Sequence, residues 1–319
     1  MSKSYVLKVV RSDMTTRNGF KWGGVGETTV AQDWAPTKEC GNGLHGWLNG
    51  IGDISCQSIS AEPGALWLTL EVDTLDVIDL SGKVKFPRAL TLFMGSMIEA
   101  AVIVAEKANE QGPVIGITRS GGDRSTVSGG NRSMVSGGDR STVSGGDDST
   151  VSGGEGSTVS GGDRSMVSGG DSSTVSGGYR STVSGGYRST VSGGHLSMVS
   201  GGHLSMVSGG DDSTVSGGEG STVSGGYRST VSGGEGSTVS GGEGSTVSGG
   251  DSSTVSGGYR STVSGGYLST VSGGDGSVLQ ITYYDARKHI ATAYVGEKGI
   301  KPYTFYRLNS NHEFEEVTQ

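Results

Sequence analysis

The chain has 319 residues, 61 of them glycine, with 32% hydrophobic and 6% aromatic residues and a net charge of −8. That moderate acidity carries no basic stripe and argues against a nucleic-acid partner. Two cysteines cannot staple a chain this long, and no apolar run reaches the ~18 residues of a membrane span. The N-terminus, MSKSYVLKVVRSD, lacks the apolar core and cleavage site of a signal peptide. A cytoplasmic protein, or a virion component made in a host cytoplasm, is expected, with no membrane partner.

All four tryptophans fall in the first 70 residues, so the chain reads in parts. YVLKVV, ALWLTLEVD and LDVIDL predict short strands. SMIEAAVIVAEKAN, residues 96–109, predicts a helix, with Ser96 and Glu99 as a capping box and Gly112 just past its end. Residues 1–118 therefore read as a small, mostly β domain ending in a helix. That helix could lay its apolar face on the first coil of the repeat that begins near residue 121. Cys40, His45 and Cys56 lie in KECGNGLHGWLNGIGDISC. A zinc site needs a fourth ligand and a familiar spacing, and neither Cys-x-x-Cys nor a second histidine is nearby. Buried cysteines and a hydrogen-bonded loop histidine are expected; a Cys–His nucleophile pair is the enzymatic alternative.

From residue 121, Gly-Gly pairs recur every eight residues through 273, twenty units without an insertion. The unit is Gly-Gly-x-x-Ser-(Thr/Met)-Val-Ser. A flexible linker needs no strict period and no valine at one fixed place, so residues 119–276 predict stacked strands. Ser-Thr-Val-Ser supplies a strand and Gly-Gly a turn with positive φ. Two units close a flattened 16-residue coil, and ten coils stack at ~4.8 Å. In the first unit, alternation sends Ser125 and Val127 inward and Thr126 and Ser128 outward. The Met-for-Thr exchange speaks against that register, because methionine favours the inside. The open ends of such a stack need caps.

Most third and fourth positions are polar, but Gly193–Gly210 reads GGHLSMVSGGHLSMVSGG. In the favoured register Leu196, Met198, Leu204 and Met206 face outward with His195 and His203 beside them. They form a candidate contact ring for a protein partner or a second copy of the chain. The alternative is that methionine fills a gap inside. Tyr179 and Tyr187 fall on opposite edges, as do Tyr259 and Tyr267, so no continuous tyrosine ladder is expected. Residues 121–276 carry 14 acidic and 8 arginine side chains, too weak a charge to mimic duplex DNA. Beyond the repeat, residues 277–319 read as a C-terminal β cap. SVLQITYYD and IATAYVG there flank ARKH as a hairpin, and YTFYRL follows as a strand.

Units such as GGDGS resemble calcium-binding glycine-rich nonapeptide rolls. The period here is eight, and Ser or Thr stands where the ligand aspartate belongs, so no metal or other cofactor is expected. Pairs of units such as GGYRSTVSGGEGSTVS (225–240) resemble the 16-residue repeat of bacterial ice nucleation proteins. That resemblance implies a β-solenoid with two units per coil and outward Thr rows that order water. Here Thr-Val-Ser replaces the paired threonines. The whole layout also resembles uncharacterised phage and prophage octapeptide-repeat proteins, through Cys40–Gly46 (CGNGLHG) and AYVGEKGIKPYTFYRL (293–308). The expectation is an all-β, capped β-solenoid that is not an enzyme. It would act as a rigid scaffold or interaction protein, with binding of ice or ordered water as the alternative.

Overall fold

In the computed structural model, which describes residues 2–16, 19–52, 62–108, 114–116 and 118–317, the first strand already shows how the N-terminal unit is built. Alternation along β1 (Lys3–Val10) sends Val6 and Val10 to one side of a sheet and Leu7 and Val9 to the other. Both sides are covered. The sheet adds β2 (Thr28–Val30), β3 (Leu44–Leu48), β4 (Leu66–Asp73), β5 (Ile78–Asp79), β6 (Val84–Phe86) and β7 (Arg88–Gly95), in the antiparallel order β2-β7-β4-β1-β3-β6-β5. One side packs Trp22, Leu68, Leu70 and Phe86 around Val6 and Val10. The other packs α1 (Met97–Ala108) against β1, β4 and β7.

The helix starts where its capping box places it. Ser96 Oγ donates to Glu99 Oε2 at 2.7 Å, and the Ser96 amide donates to the same carboxylate at 3.1 Å. Its buried residues, Ala100, Ala101 and Val104, join Leu7, Trp47 and Trp67. Its apolar face packs on the β1–β4–β7 surface of its own unit. Gly112 lies outside the described residues.

By contacts, the chain divides into Met1–Arg119 with Ser128–Met134, and Ser120–Val127 with Val135–Gln319. The second unit is a β-solenoid of about ten 16-residue coils. Each eight-residue unit gives one short strand, Thr-Val-Ser or Met-Val-Ser, extended by a glycine at Thr222–Gly225, Thr238–Gly241 and Thr262–Gly265, and successive strands alternate between two parallel sheets. The register is uniform. Val159 pairs with Val175 in one sheet, and Val167 pairs with Val183 in the other. The repeat valines Val127 to Val271 are at most 8% exposed and form one column. From Ser133 on, the first serine of each unit is buried beside them. Ser197 Oγ donates to the Gly178 carbonyl one coil below at 3.1 Å, and the same bond recurs along the stack at Ser213 and Ser229. Ser125 and Val127 are therefore the inward pair, and methionine at the threonine position is outward.

The turns correct one expectation. The repeat Gly-Gly pairs are absent from the left-handed region; the fourth position occupies it instead. Its φ lies between 52° and 59° in every unit where it is Arg, Asp, Ser or Leu, and five units place glycine there. This conformation lets the fourth amide donate to the third-position carbonyl one coil on, as from Arg180 to His195 at 2.9 Å. Gly-Gly is required for closeness. A Cβ on Gly185 would sit 2.6 Å from Val191 Cγ2 and 2.8 Å from Ser189 Cβ. A Cβ on Gly194 would sit 2.9 Å from the Gly178 carbonyl carbon in the coil below. Aspartate at the third position adds a further rung: Asp163 Oδ1 accepts from the Tyr179 amide at 2.8 Å, and Asp211 from Tyr227 likewise.

The C-terminal end changes strand direction. Val278–Asp285 pairs in parallel with Thr262–Gly265 and antiparallel with Arg287–Tyr294. In the other sheet Tyr306–Leu308 runs antiparallel to Thr270–Ser272, and Phe314–Glu316 follows it. Leu279, Ile281, Val295 and Tyr306 continue the valine column. The hairpin turn is tighter than expected. Ala286 alone reverses the chain, at φ 56°, and Arg287, Lys288 and His289 lie in the returning strand. The charge of Arg287 and Lys288 sits on an edge where a further strand could otherwise add.

Two substitutions separate the roles of the turn residues. Gly185→Ala is expected to destabilise the solenoid by about 1–3 kcal/mol through overpacking. Leu268→Gly is expected to stabilise it by about 1 kcal/mol by relieving the left-handed conformation of an exposed residue. Urea unfolding of the two variants checks both signs.

Candidate binding faces of the solenoid

Because units alternate between sheets, the parity of a unit decides which face shows its side chain. In one sheet the outward position is threonine from Thr126 to Thr270 at sixteen-residue steps, interrupted only by Met206. This hydroxyl face carries threonine at nine of ten coils, each followed two residues later by a serine. Its hydroxyls are spaced ~4.8 Å between coils and about 6.6 Å along the strand. In the other sheet Thr150, Met166, Thr182, Met198 and Thr214 alternate, and threonine follows to Thr262. This is the methionine face. The period alone shows neither pattern; it appears only when units are sorted by parity.

The six residues of the candidate ring are distributed around one coil. Met198 is 59% exposed on the methionine face, and Met206 is 58% exposed on the hydroxyl face. Leu196 and Leu204, 42% and 48% exposed, sit in the two turns, both with positive φ. Methionine does not fill an interior gap, because the inward places of its strand belong to serine and valine. His195 stacks on Tyr179 of the coil below, with ring centroids 5.7 Å apart and planes at 12°, and its Nε2 lies 3.3 Å from Asp212. His203 Nδ1 lies 3.5 Å from Glu219. The stacking partner of this tyrosine is a histidine, and its signal in the sequence is an aromatic ring sixteen residues on. The neighbouring arginines take up other tyrosines. Arg188 lies 5.2 Å from the Tyr187 ring and Arg260 4.9 Å from that of Tyr259.

In the N-terminal unit, Cys40 is exposed rather than buried, and its Sγ accepts from Lys83 Nζ at 3.0 Å. Cys56 lies outside the described residues. His45 belongs to β3 rather than a loop, and its Nε2 accepts from the Gly41 amide at 3.4 Å. Desolvation, then Lys83, Lys8 and Lys85, hold the imidazole down at about 4. The segment before it wraps the buried Lys85, whose Nζ donates to the carbonyls of Glu39 at 2.9 Å and Gly41 at 3.4 Å and lies 5.8 Å from the Trp34 ring. Gly43 presses on Trp34, and a Cβ on Gly46 would meet Val6 and Leu7. Packing thus accounts for Gly43 and Gly46 of CGNGLHG, and a φ of 108° accounts for Gly41. Among the described residues no three His, Cys, Asp or Glu side chains gather as a metal site. No helix among them is long and apolar enough to cross a membrane.

The fold and faces define a two-sheet β-solenoid with a regular hydroxyl surface. The chain is similar to an ice nucleation protein of Pseudomonas syringae, 33% identical over 109 residues. It is also similar to one of Pseudomonas fluorescens, 32% identical over 110 residues. Each match covers 34% of this chain and 9% of the relative's length. No family model matches, and no solved structure does.

The buried cations make the N-terminal unit pH-sensitive. Burial, reinforced by Lys83, brings the Lys8 ammonium down to about 7. An unfolded lysine holds its proton to about 10.4, so between those values the unfolded chain binds more protons and stability rises with pH. His45 acts in the same direction between about 4 and 6.5. Lys8→Met is expected to raise the unfolding midpoint of this unit at pH 6 and to flatten its rise toward pH 10. Thermal melts across that range, followed by tryptophan fluorescence, check it.

Proposed function

We propose that the chain is a non-enzymatic β-solenoid scaffold that works through its flat faces, and that its hydroxyl face binds an ordered water surface such as ice. The observation that carries this reading is the threonine row, nine of ten coils on one sheet, held by an in-register backbone ladder. A lattice of hydroxyls fixed by backbone spacing binds ordered water without first paying to order itself. The similarity of the repeat to ice nucleation proteins supports the same reading. Ten coils with serine at the second hydroxyl make a small array, so binding is expected to exceed nucleation. Thermal hysteresis above a buffer control is the expected result. Thr158→Tyr with Thr174→Tyr, both outward, should abolish it without unfolding the solenoid. Equal hysteresis in variant and parent removes the reading.

An interaction scaffold is the second reading, favoured by the exposed Leu196, Met198, Leu204 and Met206 with His195 and His203. A protein partner or a second copy would seat on that ring. Serine at the four apolar positions should then abolish association in light scattering and partner capture in pull-downs. A phage setting in a host cytoplasm rests only on the resemblance of Cys40–Gly46 and of residues 293–308.

A further inference from the structure

The methionine face has a regular relief. Along one column Thr150, Met166, Thr182 and Met198 alternate, so a long side chain stands at every second coil and a short one between. Both methionines are exposed, at 60% and 59%. A two-fold axis parallel to the strands, passing midway between the coils of Met166 and Thr182, turns a second copy end for end. It sets Met166 against Thr182 and Met198 against Thr150, each in both directions. Every knob then meets a gap.

The turns on the edge that follows these strands obey the same axis. It brings Arg140 toward Glu219, Glu155 toward His203, and Asp171 toward Arg188, all exposed in the single chain. On the other edge His195 comes toward Asp148. The same axis also sets Asp139 over Glu219 and Arg164 over Arg180, so the charges across it are mixed. A copy running in the same direction would instead set methionine on methionine and each charge beside its own kind. Relief thus selects one arrangement.

We propose that the methionine face is an isologous interface for a second copy of this chain, antiparallel and centred between the coils of Met166 and Thr182. This rests on the interaction-scaffold reading and gives that reading a partner; the hydroxyl face stays free on the outside of the pair. Six coils at ~4.8 Å, by about 17 Å of strand and turn, bury roughly 1,000 Å² in total. That is the lower end of specific interfaces, so the dimer is concentration-dependent rather than obligate.

The test is sedimentation equilibrium of the full chain from micromolar to millimolar concentration. A monomer–dimer equilibrium is expected. Met166→Thr with Met198→Thr restores the residue most units already carry, so folding is safe, and should weaken the dimer roughly tenfold or more. Arg140→Glu should weaken it too, and adding Glu219→Arg should restore it. Mixing chains bearing Thr150→Cys with chains bearing Met198→Cys should give a thiol cross-link above that of either alone, with the native cysteines as a common background. A dimer unchanged by the methionine substitutions overturns the assigned face while leaving the interaction scaffold standing. A chain that stays monomeric to millimolar overturns the proposal, and partner capture by the Leu–Met ring then tests the scaffold reading separately.

Discussion

In each turn from Arg140 to Arg260 the fourth-position amide reaches the third-position carbonyl one coil on, and the chain can come that close only because two glycines present no Cβ. The backbone ladder therefore runs through the corners as well as the strands. Sixteen residues per coil are then obligatory, since an added residue would break every rung above it. The serine and valine columns have the same origin, because an in-register stack places like residue over like. A core of one valine per unit is thin. It is sufficient because strand, turn and serine side chain all contribute hydrogen bonds to the same ladder.

With the interior uniform, individuality is confined to the third, fourth and sixth positions, and the coil geometry sorts these into two faces and two edges. One face is nearly pure threonine. The other carries methionines at alternate coils up to Met198 and threonine beyond. The edges carry charge and aromatic rings whose partners lie sixteen residues away, as Tyr179 and His195 show. A repeat that reads as monotonous thus presents two chemically different surfaces on opposite sides of one thin layer. The N-terminal unit obeys another logic. Its sheet is covered on both sides, and it tolerates buried lysines by wrapping Lys85 in carbonyls and by holding Lys8 near Trp22, 5.3 Å from the ring.

Local chemistry was legible in the sequence alone. The octapeptide period, the inward valine and serine, the capping box at Ser96 and the strands around Tyr5 and Trp67 all depend on near neighbours and on alternation. They determine an all-β chain with a two-unit coil and one helix. Tertiary structure decided whatever depends on residues sixteen or more apart. It set the left-handed conformation at the fourth position, which exists to serve the next coil, and it gave the glycines the role of admitting a neighbour. It placed α1 on its own sheet and turned the CGNGLHG segment around Lys85. It also decided that Met198 and Met206, adjacent in the repeat, look out of opposite faces. A linear pattern records what each residue is; only the closed coil records which residues share a side.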